Sequence, residues 1–500
     1  MAWRFGAGMQ ADAFNFAFLI PNLLRRLLAE GAVSVALVPV FGDIKQKGEK
    51  GGLAELYRRA FGGYALFLFM FLAIFFLVAP YVIPYFVYGF PREKQELTVR
   101  LVQIMLPFIL FLSIASVSVA LLHTLKLFTA PALSPILLNI VIIGGIVFIA
   151  PLFGVSIYGV AISVSVAGGL ILALQIFRLA LAGVAVVPKI QYDPRLVEML
   201  KLMAPAVVGV MVYYLNVLFS KFLASFLVEG SITYIYYSDR LFEFPLGIIA
   251  VSVATVTLPE LSQNTERGRL ASFRETLSSS VRLTLFVCIP AAAGLFVLRE
   301  PIIELLFRRG EFSVKDAETT ALVFRNALPG LIFVSAIRVI TQAFYSLKKP
   351  ILSVYTAGVS FLVNAALSLM FIGPFGVAGL TLANSASALV NFALSLAILG
   401  RLLKRLGAPA YSEGEKRKLV SEIFLMFVSS AVMGAAIYFV FSFIRESDGQ
   451  SSLGAAASVL LLSGVGAGIY FALSKMLGIS EADKMAERLL RRAKRERRRS

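Results

Sequence analysis

Two stretches of this sequence set charged side chains among apolar neighbours. The first, IPNLLRRLLAEGA, places Arg25 and Arg26 side by side and Glu30 four residues on, with Asp12 upstream. On a helix Arg26 and Glu30 are i,i+4 neighbours and can pair, whereas Arg25 projects about 100° away and cannot take that partner. The second, SITYIYYSDRLFEFPLG, puts Asp239 and Glu243 on one face and Arg240 on an adjoining one. Lys221 sits within LNVLFSKFLASF without an acid close by in sequence, so it either snorkels to an interface or faces a cleft. Arg325 and Arg338 occupy another apolar run, and Arg338 lies near its end, where snorkelling is expected. The balance of these embedded charges favours arginine and lysine. That suits an anion, above all a phosphate or pyrophosphate, which guanidinium can grip with two parallel hydrogen bonds. One such contact, at about 4 Å and an effective dielectric near 20, is worth roughly 4 kcal/mol before desolvation is subtracted. Pro21 with Gly31, and Pro245 with Gly247, permit bends beside both clusters. His123, alone at the end of an apolar run, reads as structural.

The elements that hold these residues must be membrane spans. The chain has 500 residues, 59% of them apolar and 15% charged, with a mean hydropathy of +0.84. Soluble domains carry about 25% charged residues, so this surface could not be wetted in water. A single Cys and a single His exclude disulfide frameworks and Cys- or His-based metal centres, and no cofactor is expected. No GxxxxGK[ST] phosphate loop occurs. Stretches of the roughly 20 apolar residues that a span needs recur at 12–40, 60–88, 97–122, 132–152, 156–182, 198–228, 231–260, 278–298, 317–346, 350–373, 376–400, 419–444 and 453–476. The fold class is therefore an all-α polytopic membrane protein with about 13 spans. A membrane enzyme would want clustered acids and a sizeable surface loop, which the short breaks do not offer.

Sidedness follows from lysine and arginine. The breaks 41–59, 123–131, 178–201, 262–282, 346–350, 401–418 and 475–500 hold 32 of the 47 Lys and Arg residues. The alternate breaks 89–100, 150–157, 229–231, 299–316, 373–376 and 445–452 hold 8. The first set is assigned to the cytoplasm, with the C-terminus. The net charge of +18 then reflects membrane orientation and contact with anionic membrane lipids; nucleic acid is not an expected partner. The halves also repeat at an offset of roughly 220 residues. VSVALVPVF (33–41) parallels VSVATVTLPEL (251–261), LPFILFLSIASVSVALLHTLKLFTAP parallels LPGLIFVSAIRVITQAFYSLKKP, and YGVAISVSVA parallels FGVAGLTLANS. Both copies place matching loops on the same side, so the repeat is parallel. It predicts two six-helix lobes, 1–182 and 183–405, then two extra helices over 406–477 and a basic tail over 478–500. The second copy has a helix ahead of its matching span where the first has only Met1–Ala11, so the reading frame is expected to extend upstream.

At ADAFNFAFLIPNLLRRLLAEGAVSVALVPVF and YYSDRLFEFPLGIIAVSVATVTLPELS the chain resembles the MurJ (MviN) lipid II flippases, part of the multidrug/oligosaccharidyl-lipid/polysaccharide exporter superfamily. The resemblance spans essentially the whole chain. It implies fourteen helices, two lobes around a cationic cavity, and a groove from the last two helices for a polyprenyl tail. It implies export of undecaprenyl-pyrophosphate-linked peptidoglycan precursor, lipid II, across a bacterial inner membrane by alternating access. Lipid II, membrane lipids and cell-wall synthesis proteins are the partners it implies. Position by position, Arg25 and Arg240 match family cavity arginines, Asp12 the DAF acid, and Glu30 with Gly31 the EGA bend. Arg26, Asp239, Glu243 and Lys221 complete the expected substrate-binding set. The chain lacks the glycine- and arginine-containing motif of the family's first helix. Some members have an aspartate near Ser220; here Ser220 and Lys221 stand there, while Asn364 remains, so monovalent-ion coupling is left open and the membrane potential is the expected driving force. An ion-coupled exporter, or a flippase for another lipid-linked glycan, is the alternative.

Overall fold

The computed structural model describes residues 1–28, 32–46, 52–184, 187–191, 214–447 and 452–487. Every regular element among them is helical. In chain order these are α1 (Ala2–Phe5), α2 (Met9–Leu28), α3 (Ala32–Gln46), α4 (Gly52–Phe86), α5 (Arg92–Thr124), α6 (Thr129–Gly144) and α7 (Ile157–Leu181). After these come α8 (Tyr214–Ala224), α9 (Ser231–Pro245), α10 (Ser252–Glu266), α11 (Leu270–Phe307), α12 (Val314–Ser346), α13 (Ile351–Arg405), α14 (Glu413–Ser447) and α15 (Ser452–Met476). Among the described residues ten helical runs are long and apolar enough to cross a membrane. Hydrocarbon offers the backbone no partner but itself, which is why helices are the solution here. The exposed faces confirm the solvent: Phe69, Ile74, Leu77, Tyr81 and Tyr85 on α4, and Ile136, Ile140 and Ile143 on α6, all stand outward.

Four expected spans need comment. The span expected over 12–40 is described as helix over Met9–Leu28 and Ala32–Gln46, with residues 29–31 outside the described set. The span expected over 198–228 lies mostly outside it too, and only α8 represents it. The two spans expected over 350–373 and 376–400 are the two helical arms of α13, which meet at a non-helical kink at Gly376 with φ 55° and ψ −134°. Only glycine adopts such a φ cheaply, and Pro374 beside it has no N–H to carry the helix forward.

The described residues group into two compact units, the first ending at Thr233 and the second beginning at Tyr234. In the first, α5 is central and packs on α2, α3, α4 and α7. Its core joins Phe41, Tyr57, Leu68, Val117 and Leu121. Close approach without a hydrophobic drive needs small residues: a Cβ on Gly159 of α7 would lie 2.6 Å from Ala150 Cα. In the second unit α12 is central and packs on α10, α11 and α13. The α4–α5–α7 packing of one unit thus corresponds to the α11–α12–α13 packing of the other, as the sequence repeat requires. Helices α14 and α15 lie on α11 through Met426, Met433, Ile437 and Tyr470 against Phe286 and Ile289.

Polar bonds at the helix ends join breaks of a single set. In the first unit Lys45 donates to the Thr124 carbonyl at 2.9 Å, and Lys189 pairs with Glu55 at 2.6 Å. The other set meets where Asp12 pairs with Lys94 at 2.8 Å and accepts from the Gly230 N–H at 2.8 Å. In the second unit Arg274 pairs with Glu415 at 3.6 Å, and Tyr234 donates to Asp316 at 2.7 Å.

Candidate functional site

The sequence-derived site residues divide into those that face outward and those used up inside a unit. Arg25 and Arg26 fall in the last turn of α2, where cations complement the negative end of the helix dipole. Arg25 is half-buried and Arg26 exposed. The Arg26 guanidinium lies 5.8 Å from the centre of the Tyr214 ring on α8. The Leu28 carbonyl accepts from the Tyr64 hydroxyl at 2.5 Å. Glu30, the expected partner of Arg26, lies outside the described residues.

Arg240 and its neighbours lie on the exposed face of α9. The Arg240 side chain is 52% exposed and pairs with Glu243 at 3.0 Å. It also lies 4.9 Å from the Tyr236 ring centre, one turn back. Asp239 is exposed on the adjoining position. Asp239 and Glu243 are both exposed, as their i,i+4 spacing on one face allows, and from the adjoining position Arg240 reaches Glu243 across i,i+3. Beyond Pro245 the helix widens into a π turn over Leu246–Val251. Pro245 cannot donate to the Leu241 carbonyl, and Gly247 follows within the widened turn, where π turns commonly accompany function.

Two expected contacts are corrected. Asp12 is 1% exposed, and its carboxylate is saturated. Besides Lys94 and the Gly230 N–H, it accepts from the Thr233 N–H at 2.8 Å and hydroxyl at 2.7 Å. A buried carboxylate with four donors is a staple of the first unit and has no acceptor capacity left for a ligand's donors. Lys221 is 6% exposed and directs its ammonium at the Ile232 carbonyl, 3.4 Å away. It therefore neither snorkels nor stands in an open cleft. The partners that sequence reasoning missed are Lys94, Thr233, Tyr236 and Tyr214. Of these only Tyr236, one helical turn from Arg240, had a local signal. Among the described residues no three His, Cys, Asp or Glu side chains are grouped to hold a metal ion.

Helical spans with arginines on their exposed faces, in two units of matching internal packing, define a multi-span helical membrane protein of transporter type. The chain matches the family model for "Lipid II flippase MurJ" over residues 1–453, and it belongs to that family. A Vibrio cholerae protein named "Probable lipid II flippase MurJ" is 34% identical across 96% of this chain and 91% of its own length. A Burkholderia cenocepacia protein named "Lipid II flippase MurJ" is 31% identical across 96% and 93%. Among solved structures, "Lipid II flippase MurJ, inward closed conformation" superposes with a TM-score of 0.77 at 23% identity, covering 95% of this chain and 94% of that one. An inward-facing MATE family transporter of the MOP superfamily gives 0.71 at 12% identity, covering 82% and 94%, and so shares the fold.

Proposed function

We propose that this protein moves an undecaprenyl-pyrophosphate-linked peptidoglycan precursor, lipid II, from the inner to the outer leaflet of a bacterial cytoplasmic membrane. The observation that carries this reading is family membership over nearly the whole chain, joined to arginines set within apolar helices. Arg25 and Arg240 contact the pyrophosphate, and the chain acts as a carrier. The two lobes, 1–182 and 183–405, alternate between inward and outward access. The prenyl tail stays in lipid throughout, because wetting it would cost about 0.8 kcal/mol per methylene. Moving negative charge outward against a negative interior gains about 2.3 kcal/mol per charge per 100 mV. The potential alone can thus set direction, with no bound cofactor. The excess of basic residues in one set of breaks puts the C-terminus in the cytoplasm, where the basic tail meets anionic lipid and cell-wall synthesis proteins have access.

The decisive experiment is rescue of lipid II export in cells depleted of their own flippase. Wild-type protein restores export; Arg25→Ala and Arg240→Ala, expressed at normal level, reduce it at least tenfold, about the weight of one charge-assisted hydrogen bond. Full-rate export by both variants would refute the phosphate contacts, and failure of the wild type would refute the substrate.

A further inference from the structure

An exposed arginine grips an anion well only if its side chain is already aimed. The Arg240 side chain is 52% exposed, and a long cationic side chain on an open helix face samples many rotamers before it meets an anion. Its ion pair with Glu243 spans i,i+3 with both partners about half exposed, and surface pairs of this kind hold a side chain only weakly. The second contact is aromatic. The guanidinium carbon lies 4.9 Å from the centre of the Tyr236 ring, one turn toward the start of α9.

Unlike Arg240, that ring is built into the second unit. Tyr236 is half-buried and meets Tyr237 edge to face, with ring centres 5.7 Å apart at 70°. Tyr237 is 5% exposed. It packs on Phe307 at the end of α11, 4.5 Å away, and edge to face on Phe312 at 5.5 Å. Two residues before Tyr236, Tyr234 donates to Asp316, whose carboxylate also closes the capping box that starts α12. The start of α9 is therefore fixed to α11 and α12, and the Tyr236 ring inherits that fixed position. A tyrosine has few rotatable bonds, so holding it costs little entropy, and aromatic pairs of this geometry stabilise beyond their buried area. Glu243 engages Nη1 of Arg240. The Nε–Nη2 edge is the other pair of parallel donors, the fork that suits two phosphate oxygens.

We propose that Tyr236 is a positioning residue for anion binding at Arg240. Its ring restricts the guanidinium to the orientation it shares with Glu243, so that the Nε–Nη2 edge is presented to phosphate. Tyr236 does not itself contact the phosphate. This rests on the pyrophosphate-lipid reading above and adds the residue that aims the arginine.

The test uses full-length protein in neutral phosphatidylcholine nanodiscs, titrated with polyprenyl pyrophosphate. Tyr236→Phe keeps the affinity within about threefold, because the ring remains. Tyr236→Leu weakens it about 3- to 30-fold. In an Arg240→Ala background Tyr236→Leu causes no further loss, since the ring acts only through the arginine. Ring-fluorinated phenylalanines at position 236 keep the shape and withdraw charge from the ring face, so affinity falls stepwise with each added fluorine, whereas a packing role leaves it level. Losses at Tyr236 and Arg240 that multiply, or an affinity that stays level across the fluorinated series, overturn the proposal. Should Tyr236→Leu fail to fold, the fluorinated series decides the matter alone, because it leaves the packing of the ring nearly unchanged. Failure of the wild type to bind polyprenyl pyrophosphate refutes the underlying reading and this proposal with it, whereas a wild type that binds and a level fluorinated series refute the positioning role alone.

Discussion

The Asp12 staple allows a prediction with a worked magnitude. Asp12→Ala strands Lys94, which is 4% exposed, and also orphans the Gly230 and Thr233 N–H groups. Removing one member of a buried ion pair costs about 3–5 kcal/mol, and each orphaned buried donor adds about 1–3 kcal/mol unless water reaches it. Water entering the space left by the carboxylate offsets part of this, so the expected total is about 4–6 kcal/mol. Lys94→Met costs less, about 3 kcal/mol, because Asp12 keeps three donors. The double variant Asp12→Ala, Lys94→Met leaves no stranded charge and loses only about 2–3 kcal/mol. It is therefore more stable than Asp12→Ala alone, a coupling of opposite sign to simple addition. Thermal and denaturant unfolding of the three purified variants in detergent reads this order. At about 2–4 °C per kcal/mol for a unit of this size, Asp12→Ala melts ~10 °C or more below wild type. Losses that add, or an Asp12→Ala protein as stable as wild type, would show that the pair is not the buried staple described.

Other substitutions probe the packing. A Cβ on Gly62 of α4 would lie 2.6 Å from the Lys189 carbonyl, so Gly62→Ala destabilises by about 1–3 kcal/mol and raises proteolysis within 187–191; unchanged cleavage would contradict the contact. Arg282 serves two buried acids, Glu422 at 3.1 Å and Glu481 at 3.2 Å. Arg282→Met strands both carboxylates and costs about 3–5 kcal/mol, whereas adding Glu422→Gln and Glu481→Gln recovers most of the melting temperature. Gly376→Ala forces a side chain into the left-handed region at about 1–2 kcal/mol, and a melting temperature equal to wild type would argue against the fold in α13.

What the sequence determined by itself were the properties that hydrocarbon imposes locally. A span must supply some 20 apolar residues in a row, so α4, α5, α7, α11, α12, α14 and α15 could be placed without any tertiary knowledge. Charge asymmetry grouped the breaks, and the Lys45–Thr124 and Arg274–Glu415 contacts join members of one group. The duplicated motifs anticipated the matching packing around α5 and α12. The structure alone decided which embedded charges are spent. Asp12 looked like an available charge in an apolar helix, yet it is saturated by Lys94, Gly230 and Thr233, up to 221 residues away. Lys221 is likewise enclosed. Burial and ion pairing between distant segments are set by how helices approach one another, and local spacing does not encode that distance.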